Sequence, residues 1–542
     1  MDLTIRGRAG DEPVPAPSPE SPPVAADVAG RAPEPQSTRV RVAVGVVLAL
    51  AVVLRFVCGS QLWLDEALSV NIASLPLDQI PGALRRDGAP PLYYVLLHGW
   101  MQVFGSSELA VRALSGVVSV ATLPLMWAAG RRLGGRRVAW AALLVLAASP
   151  FAIRYATEAR MYSLVMLFVL VGGLSLMELL ERPSRRAAAG LGLASGVLLY
   201  THYWSFYLLA TVGVVLAVRA VRDPAPAGPE RHPERGAGAR RSLAAMAAGC
   251  LLFVPWVPTF LHQLANTGTP WGAPGNLRSF FDTITNFAGG YWDIGIALGL
   301  VYFFLIALGV VGRGAGHGRI ELDLRGHDLG RFLGIVVLGT LVVAVVAGRL
   351  GGSAYAVRYA AVVLPAVVLL VALGAVTFTS PRAHRTVLAL VVALGFAATI
   401  PNVIGDRTSA ARVAAALEAR AAPGDVVAYC PDQLGPSVSR LLPADNGLDQ
   451  VTFPRWGSPQ FVDWVGYAAA SKAAVPADFA RMLVERAGPR DIWLVWAPGY
   501  RTFKAKCQAL LSELHEIRDD DTRVVTVSSK YLERPGLAHF PA

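Results

Sequence analysis

The stretch "RVAVGVVLALAVVLRFVCGSQLWLDEALSVNIASL", residues 41–75, decides how this chain must fold. Its first half, residues 41–58, is an apolar run close to the length of about 20 residues that crosses a bilayer as a helix. Its second half sets two adjacent carboxylates, Asp65 and Glu66, just past the end of that run. Hydrophobic residues make up 54% of the 542 and charged residues 16%, and mean hydropathy is +0.47, so lipid is the solvent for most of the molecule. Further apolar runs follow near 108–129, 138–153, 162–180, 187–200, 204–221, 242–262, 293–312, 332–349, 361–379 and 386–404. In lipid each must be helical, because nothing but the chain itself can satisfy its backbone polar groups. The expected fold class is thus an α-helical polytopic membrane protein of about eleven transmembrane helices.

The breaks between runs alternate in charge. "GRRLGGRR", "ERPSRRA", "VRDPAPAGPERHPERGAGARR", "GRGAGHGRIELDLRGHDLGR" and "SPRAHR" are rich in arginine and the intervening breaks are not, which predicts that the arginine loops are cytoplasmic. Residues 1–38, rich in Pro and Ala without an apolar h-region, read as a disordered cytoplasmic tail rather than a signal peptide. The transmembrane domain is then 39–404. Its long first outside loop, 59–107, contains "PPLYYVLLHGWMQVFG", whose prolines and interleaved Tyr93, Tyr94, His98 and Trp100 suit an interfacial helix better than a span. An inside amino terminus and an odd number of spans put residues 405–542 outside. There, short strand-like runs such as "GDVVAYC" and "RDIWLVWAP" alternate with amphipathic helical stretches, which predicts an extracytoplasmic α/β domain. Cys430 and Cys507 lie in that domain, where an oxidising compartment permits a bridge, although spacing does not decide between a disulfide and two buried thiols. Trp456, Trp464, Trp493 and Trp496 are available there to stack on sugar rings or to fill a core.

Polar groups collect in the outside breaks. "SPFAIRYATEARMYSL" holds Arg154, Glu158 and Arg160, and if the stretch is helical, Arg154, Glu158 and Tyr162 share one face at spacings of four. "YTHYW" adds His202 and Tyr203, and "GGSAYAVRYAAVVLP" adds Arg358 and Tyr359. Any one of these is explained by an ion pair trimming a helix end. Together, at one surface of a membrane where such groups are costly, they indicate a site. Arginines suit a phosphate, and a carboxylate suits a general base, so the set fits a lipid-linked anionic substrate processed at the outer surface.

"LWLDEALSV", "APPLYYVLLHGW", "RYATEARMYSL" and "YTHYW", in this order, resemble the GT-C superfamily of integral-membrane glycosyltransferases, in the branch related to protein O-mannosyltransferases and the lipid A aminoarabinose transferase. The resemblance is dense over roughly 60–210 and returns at "VRYAAVVLP". It implies a GT-C type fold and an inverting transferase that takes a monosaccharide from a polyprenyl phosphate. It implies Asp65 as the base with Glu66 beside it, Glu158 in the site, and Arg358 with Tyr359 at the donor phosphate. Arg154, Arg160, His202 and Tyr203 are placed in the site by matching motif. The sequence has no P-loop or dinucleotide-binding glycine signature, and nucleic acid is not an expected partner.

A divalent metal on Asp65, Glu66, Glu158 or His202 stays open, without a compact ligand motif to support it. The expected partners are the polyprenyl-phosphate donor, membrane lipid and a cell-envelope acceptor that is glycan, lipid or protein. Mannose is the first expectation for the sugar, with arabinofuranose as the alternative. A transporter or flippase for lipid-linked sugars is the rival class, but it would carry polar residues at mid-membrane, where these runs have few. A scaffold whose exported domain recruits an envelope enzyme leaves the first-loop carboxylates unexplained. The expected location is the inner membrane, with site and C-terminal domain facing out.

Overall fold

The computed structural model describes residues 38–222, 234–315, 318–326 and 328–542. The tail expected over 1–38 lies almost wholly outside these residues. The helices run α1 (Thr38–Leu54), α2 (Leu64–Ala73), α3 (Ile80–Asp87), α4 (Leu92–Phe104), α5 (Glu108–Ala147), α6 (Pro150–Ala156), α7 (Tyr162–Glu181), α8 (Arg185–Thr201), α9 (Ser205–Arg222), α10 (Glu234–Leu251), α11 (Val257–Asn266), α12 (Arg278–Phe287), α13 (Asp293–Val311), α14 (Asp328–Gly351), α15 (Leu364–Val376) and α16 (Pro381–Ile404). Among the described residues, eight helical segments are long and apolar enough to cross a membrane. One of them, α5, is two helices joined at Gly134 and Gly135; Gly135 has φ +71°, a conformation that only glycine adopts without strain. With that break, and with α1 and α8 at 17 residues each, every one of the expected apolar runs has its helix. The run at 138–153 is divided, because Ser149 and Pro150 close α5 and start α6.

The segment ending in α15 is the centre of the bundle. Within its span, Val357–Val376, an 18-residue window is 89% buried, whereas in each of the other candidate spans less than half of the window is. It packs on α13 so closely that a Cβ on Gly374 would lie 1.9 Å from the Leu305 carbonyl oxygen, the small-residue contact by which membrane helices associate. The first arginine-rich break, 130–137, meets two other helix ends: Arg132 pairs with Glu178 and Glu181, and Arg137 donates to the Phe378 carbonyl. The expected interfacial segment forms α4, 13 residues and too short to span.

The short pair β1 (Gly312–Gly314) and β2 (Ile320–Leu322) caps α13. The C-terminal α/β domain is a five-stranded sheet of β3 (Val426–Cys430), β4 (Asp449–Thr452), β5 (Ile492–Trp496), β6 (Thr522–Val525) and β7 (Gly536–Phe540), in the order β4-β3-β5-β7-β6. β3 runs parallel to β4 and β5, and β7 runs antiparallel to β5 and β6. The helices α17 (Ala410–Arg420), α18 (Gly435–Ser439), α19 (Tyr467–Ala473), α20 (Pro476–Ala487) and α21 (Lys506–Arg518) complete it. Cys430 at the end of β3 and Cys507 on α21 form a disulfide, with Cα atoms 5.5 Å apart. Trp493 is in the core of this domain, while Trp464 faces the cavity described next.

Candidate active site

A cavity of about 870 Å³ opens where the first loop, the bundle and the C-terminal domain meet. α2 brings the acidic pair to it. Leu64, Asp65 and Glu66 form the first turn of α2, where exposed amides and the helix dipole favour anionic side chains. Successive helical residues point about 100° apart, so the two carboxylates take different surroundings.

Asp65 lines the cavity and pairs with Arg358 at 3.2 Å. The Arg358 guanidinium lies 5.3 Å from the Trp271 ring centroid, 5.6 Å from Tyr359 and 5.9 Å from Trp63, so its plane is held by aromatic faces. Arg160 also lines the cavity; its Nη1 donates to Ser69 Oγ at 3.0 Å and to the Asp65 carbonyl at 3.4 Å. Tyr359 and His202 pack with ring centroids 4.9 Å apart and planes tilted by 60°. Burial, with Arg160 and Arg358 nearby, pushes the His202 imidazole down to about 3, so the ring is neutral. The Trp204 amide donates to its Nδ1 at 3.1 Å, leaving the ring proton on Nε2. Tyr203 is held by Trp256 Nε1, which donates to its hydroxyl at 3.0 Å, and by its own bond to Gln263.

Glu66 turns away and is fully buried. It accepts from Arg112 Nε and Nη2, each at 2.7 Å, and from the Ala159 amide at 3.0 Å, with Arg407 at 3.5 Å. Burial alone would raise its carboxyl, but Arg112, Arg407 and that amide together hold it below the usual range. Glu158 is also buried, pairing with Arg154 at 3.2 Å and Arg407 at 3.9 Å; burial outweighs both arginines and raises its carboxyl.

The structure therefore divides the expected site residues. Asp65, Arg160, His202, Tyr203, Arg358 and Tyr359 line one cavity. Glu66, Arg154, Glu158 and Tyr162 do not, and form the layer behind it, where Tyr162 packs edge-on to Tyr155. The four candidate metal donors are correspondingly dispersed: three carboxylates are taken by arginines, and no group of three His, Cys, Asp or Glu residues is placed to hold a metal among the described residues. Held by these arginines, the carboxylates do not fit a metal.

Sequence reasoning missed several contributors. Asp87, at the end of α3, lines the cavity and accepts from Tyr94 Oη at 3.2 Å, while Arg160 Nη1 reaches the same hydroxyl at 3.4 Å. Burial pushes its carboxyl up to about 6, against the opposing pull of Arg160 and Tyr94. It lies in the first outside loop, two residues before "APPLYYVLLHGW", but a lone Asp before Gly reads as an ordinary turn residue. Arg407 and Glu533 carried no local signal at all.

Residues 88–226 match the family model described as dolichyl-phosphate-mannose-protein mannosyltransferase. That segment contains Asp87's neighbour Gly88 through α9, with Arg160 and His202, but neither Asp65 nor Arg358. No curated protein matches the sequence. The fold is similar to that of ArnT from Cupriavidus metallidurans, in a crystal structure bound to undecaprenyl phosphate (TM-score 0.55) and in the apo state (TM-score 0.56). Identity is 15% in both cases, over 93% of this chain and 99% and 98% of that chain. The S. cerevisiae Pmt1-Pmt2 protein O-mannosyltransferase bound to its sugar donor aligns over 47% of this chain at 16% identity, with a TM-score of 0.33. The chain has a GT-C type fold, and the resemblance read in its motifs is borne out.

Proposed function

From the GT-C fold as premise, we propose that this multi-pass membrane protein is an inverting glycosyltransferase that moves a monosaccharide from a polyprenyl phosphate to a cell-envelope acceptor at the outer face of the membrane. The observation that carries the reading is the Asp65–Arg358 pair, a base candidate and a phosphate-binding candidate 3.2 Å apart in one cavity. The ArnT structure bound to undecaprenyl phosphate supports a lipid-linked donor, and the Cys430–Cys507 disulfide supports an oxidising compartment for the C-terminal domain.

In this reading the donor phosphate exchanges with Asp65 for Arg358, whose planar fork grips two phosphate oxygens. Arg160, in the same cavity and bonded to α2 at Ser69, adds positive charge. Releasing Arg358 frees a carboxylate oxygen of Asp65 to take the proton from the acceptor hydroxyl. The acceptor oxygen, giving its proton to Asp65, attacks the anomeric carbon as the bond to the phosphate oxygen breaks, and polyprenyl phosphate departs with its charge held by Arg358 and Arg160. The configuration inverts because attack and departure occur on opposite faces in one displacement. Neutral His202 and the rings of Tyr359 and Trp271, all lining the cavity, orient the sugar. Glu66 and Glu158 support the wall rather than touch the reacting atoms.

Mannose is the donor sugar we propose first, because residues 88–226 match the mannosyltransferase model; arabinofuranose is second. The C-terminal domain contributes to acceptor binding through the cavity wall that it supplies, including Trp464, Gln433 and Tyr500. Incubating purified protein with polyprenyl-phosphate mannose or polyprenyl-phosphate arabinofuranose and envelope extract tests this. Transfer of neither sugar by the wild-type chain, with both donors intact, overturns the reading.

A further inference from the structure

The residues just before Asp65 do not belong to the core of the membrane bundle. Trp63 and Leu64 are buried in the hydrophobic core of the C-terminal domain, among Val462, Trp464 and Phe503. The same domain grips α2 at three more places. α18 packs against it, Asn71 Nδ2 donates to the Gln460 carbonyl at 2.8 Å, and Glu533 meets its first turn. Glu533 is 3% exposed and lines the cavity edge; its Oε1 accepts from Ser437 Oγ on α18 at 2.9 Å, while its Oε2, near the Leu64 amide and the Thr408 hydroxyl, has no full hydrogen-bond partner. α2 has no side-chain cap of its own at Trp63, so a carboxyl from a residue more than 400 positions away meets a helix end that its own sequence leaves uncapped.

A second residue reaches the back of the site from the same strand-like pairing. Thr408 and Glu533 form a parallel bridge, in which the Glu533 amide donates to the Arg407 carbonyl at 2.9 Å and the Ser409 amide to the Glu533 carbonyl at 3.2 Å. Arg407, 4% exposed, donates to the Thr157 carbonyl and hydroxyl, each at 2.8 Å, and lies 3.5 Å from Glu66. Arg407 thus joins α2 to the loop that carries Glu158 and Arg160, while Glu533 holds the helix from its amino end.

We propose that the Arg407–Ser409 and Glu533 pairing is a staple by which the C-terminal domain sets the position of Asp65, with Glu533 and Arg407 as positioning residues. The proposal rests on the assignment of Asp65 as base only for its catalytic consequence; the staple itself is a statement about α2. Burial pushes the Glu533 carboxyl up to about 8, so at neutral pH it is an uncharged group with one accepting carbonyl oxygen, which a glutamine retains at the same reach and alanine does not.

Three variants of the full chain in detergent test it: E533A, E533Q and S437A, with hydrogen exchange followed by mass spectrometry over residues 60–70, and kcat and donor KM measured in parallel. The expected result is faster exchange across 60–70 in E533A, with exchange in α13 and α15 unchanged, and near wild-type exchange in E533Q. S437A, which removes one anchor of the carboxyl, moves exchange in the same direction by less and covers the case in which E533A does not fold. kcat of E533A falls by roughly 100-fold, as expected for a displaced catalytic group, with donor KM held and E533Q restoring most of the rate. Unchanged exchange over 60–70 in both E533A and S437A overturns the staple. Equal loss of kcat in E533Q and E533A also overturns it, because the carboxyl would then act on substrate rather than through α2. If exchange responds as expected but the wild-type chain transfers no sugar, the staple stands and the functional reading fails.

Discussion

Replacing Asp65 and Glu66 one at a time separates two adjacent carboxylates that the structure assigns to opposite tasks. Asp65→Asn keeps the shape and removes the base. The Asp65 and Arg358 side chains are 17% and 24% exposed, so their pair is partly solvated and losing it costs about 1 kcal/mol at most. Turnover should fall by about 100-fold or more, equivalent to roughly 2.7 kcal/mol in the barrier, while expression and thermal stability persist. Glu66→Gln leaves Arg112 and Arg407, 6% and 3% exposed, facing a neutral amide. Breaking a buried pair from one side costs about 3–5 kcal/mol, so E66Q should show a clear loss of melting temperature and yield. The protein that does fold should keep more turnover than D65N. The assays are radiolabelled sugar transfer from a polyprenyl-phosphate donor and thermal unfolding of the same detergent-purified samples. A D65N protein that transfers sugar at the wild-type rate, or an E66Q protein as stable as wild type, refutes the division of labour.

Arg358→Lys keeps the charge and loses the fork and its stacking on Trp271, so donor KM should rise by about 10-fold or more, read from donor titration at saturating acceptor; an unchanged KM means that Arg358 only anchors the helix end. Asp87, pushed up to about 6, is neutral below that pH and charged above it. Its ionised form adds negative charge beside Arg160, so donor KM should rise as pH increases through about 6, and D87N should flatten that rise. Removing the 430–507 disulfide by C507S frees a 77-residue separation and should destabilise the C-terminal domain by roughly 4 kcal/mol. Because that core holds Trp63 and Leu64, transfer by C507S should be lost at a lower temperature than in wild type, measured by activity after graded heating.

The acidic pair, the run lengths and the motifs settled the fold class from sequence, because bilayer thickness imposes a length and a polarity on each span that local composition records. The six cavity-lining residues were legible for a related reason: charged and aromatic groups at the end of an apolar run are expensive enough to stand out. What composition cannot express is which way a side chain turns. Asp65 and Glu66 are neighbours with the same charge, and only the helical rotation between them, together with Arg112 on α5, sends one to the cavity and the other into the wall. The same holds for Glu158, whose spacing from Arg154 predicted their pairing but not its burial behind the site. Arg407, Glu533 and the docking of Trp63 and Leu64 into the C-terminal core were decided by tertiary structure alone. Their partners lie hundreds of residues away, so no window of sequence contains both halves of the interaction, and each half by itself reads as an ordinary linker arginine, loop glutamate or apolar flank.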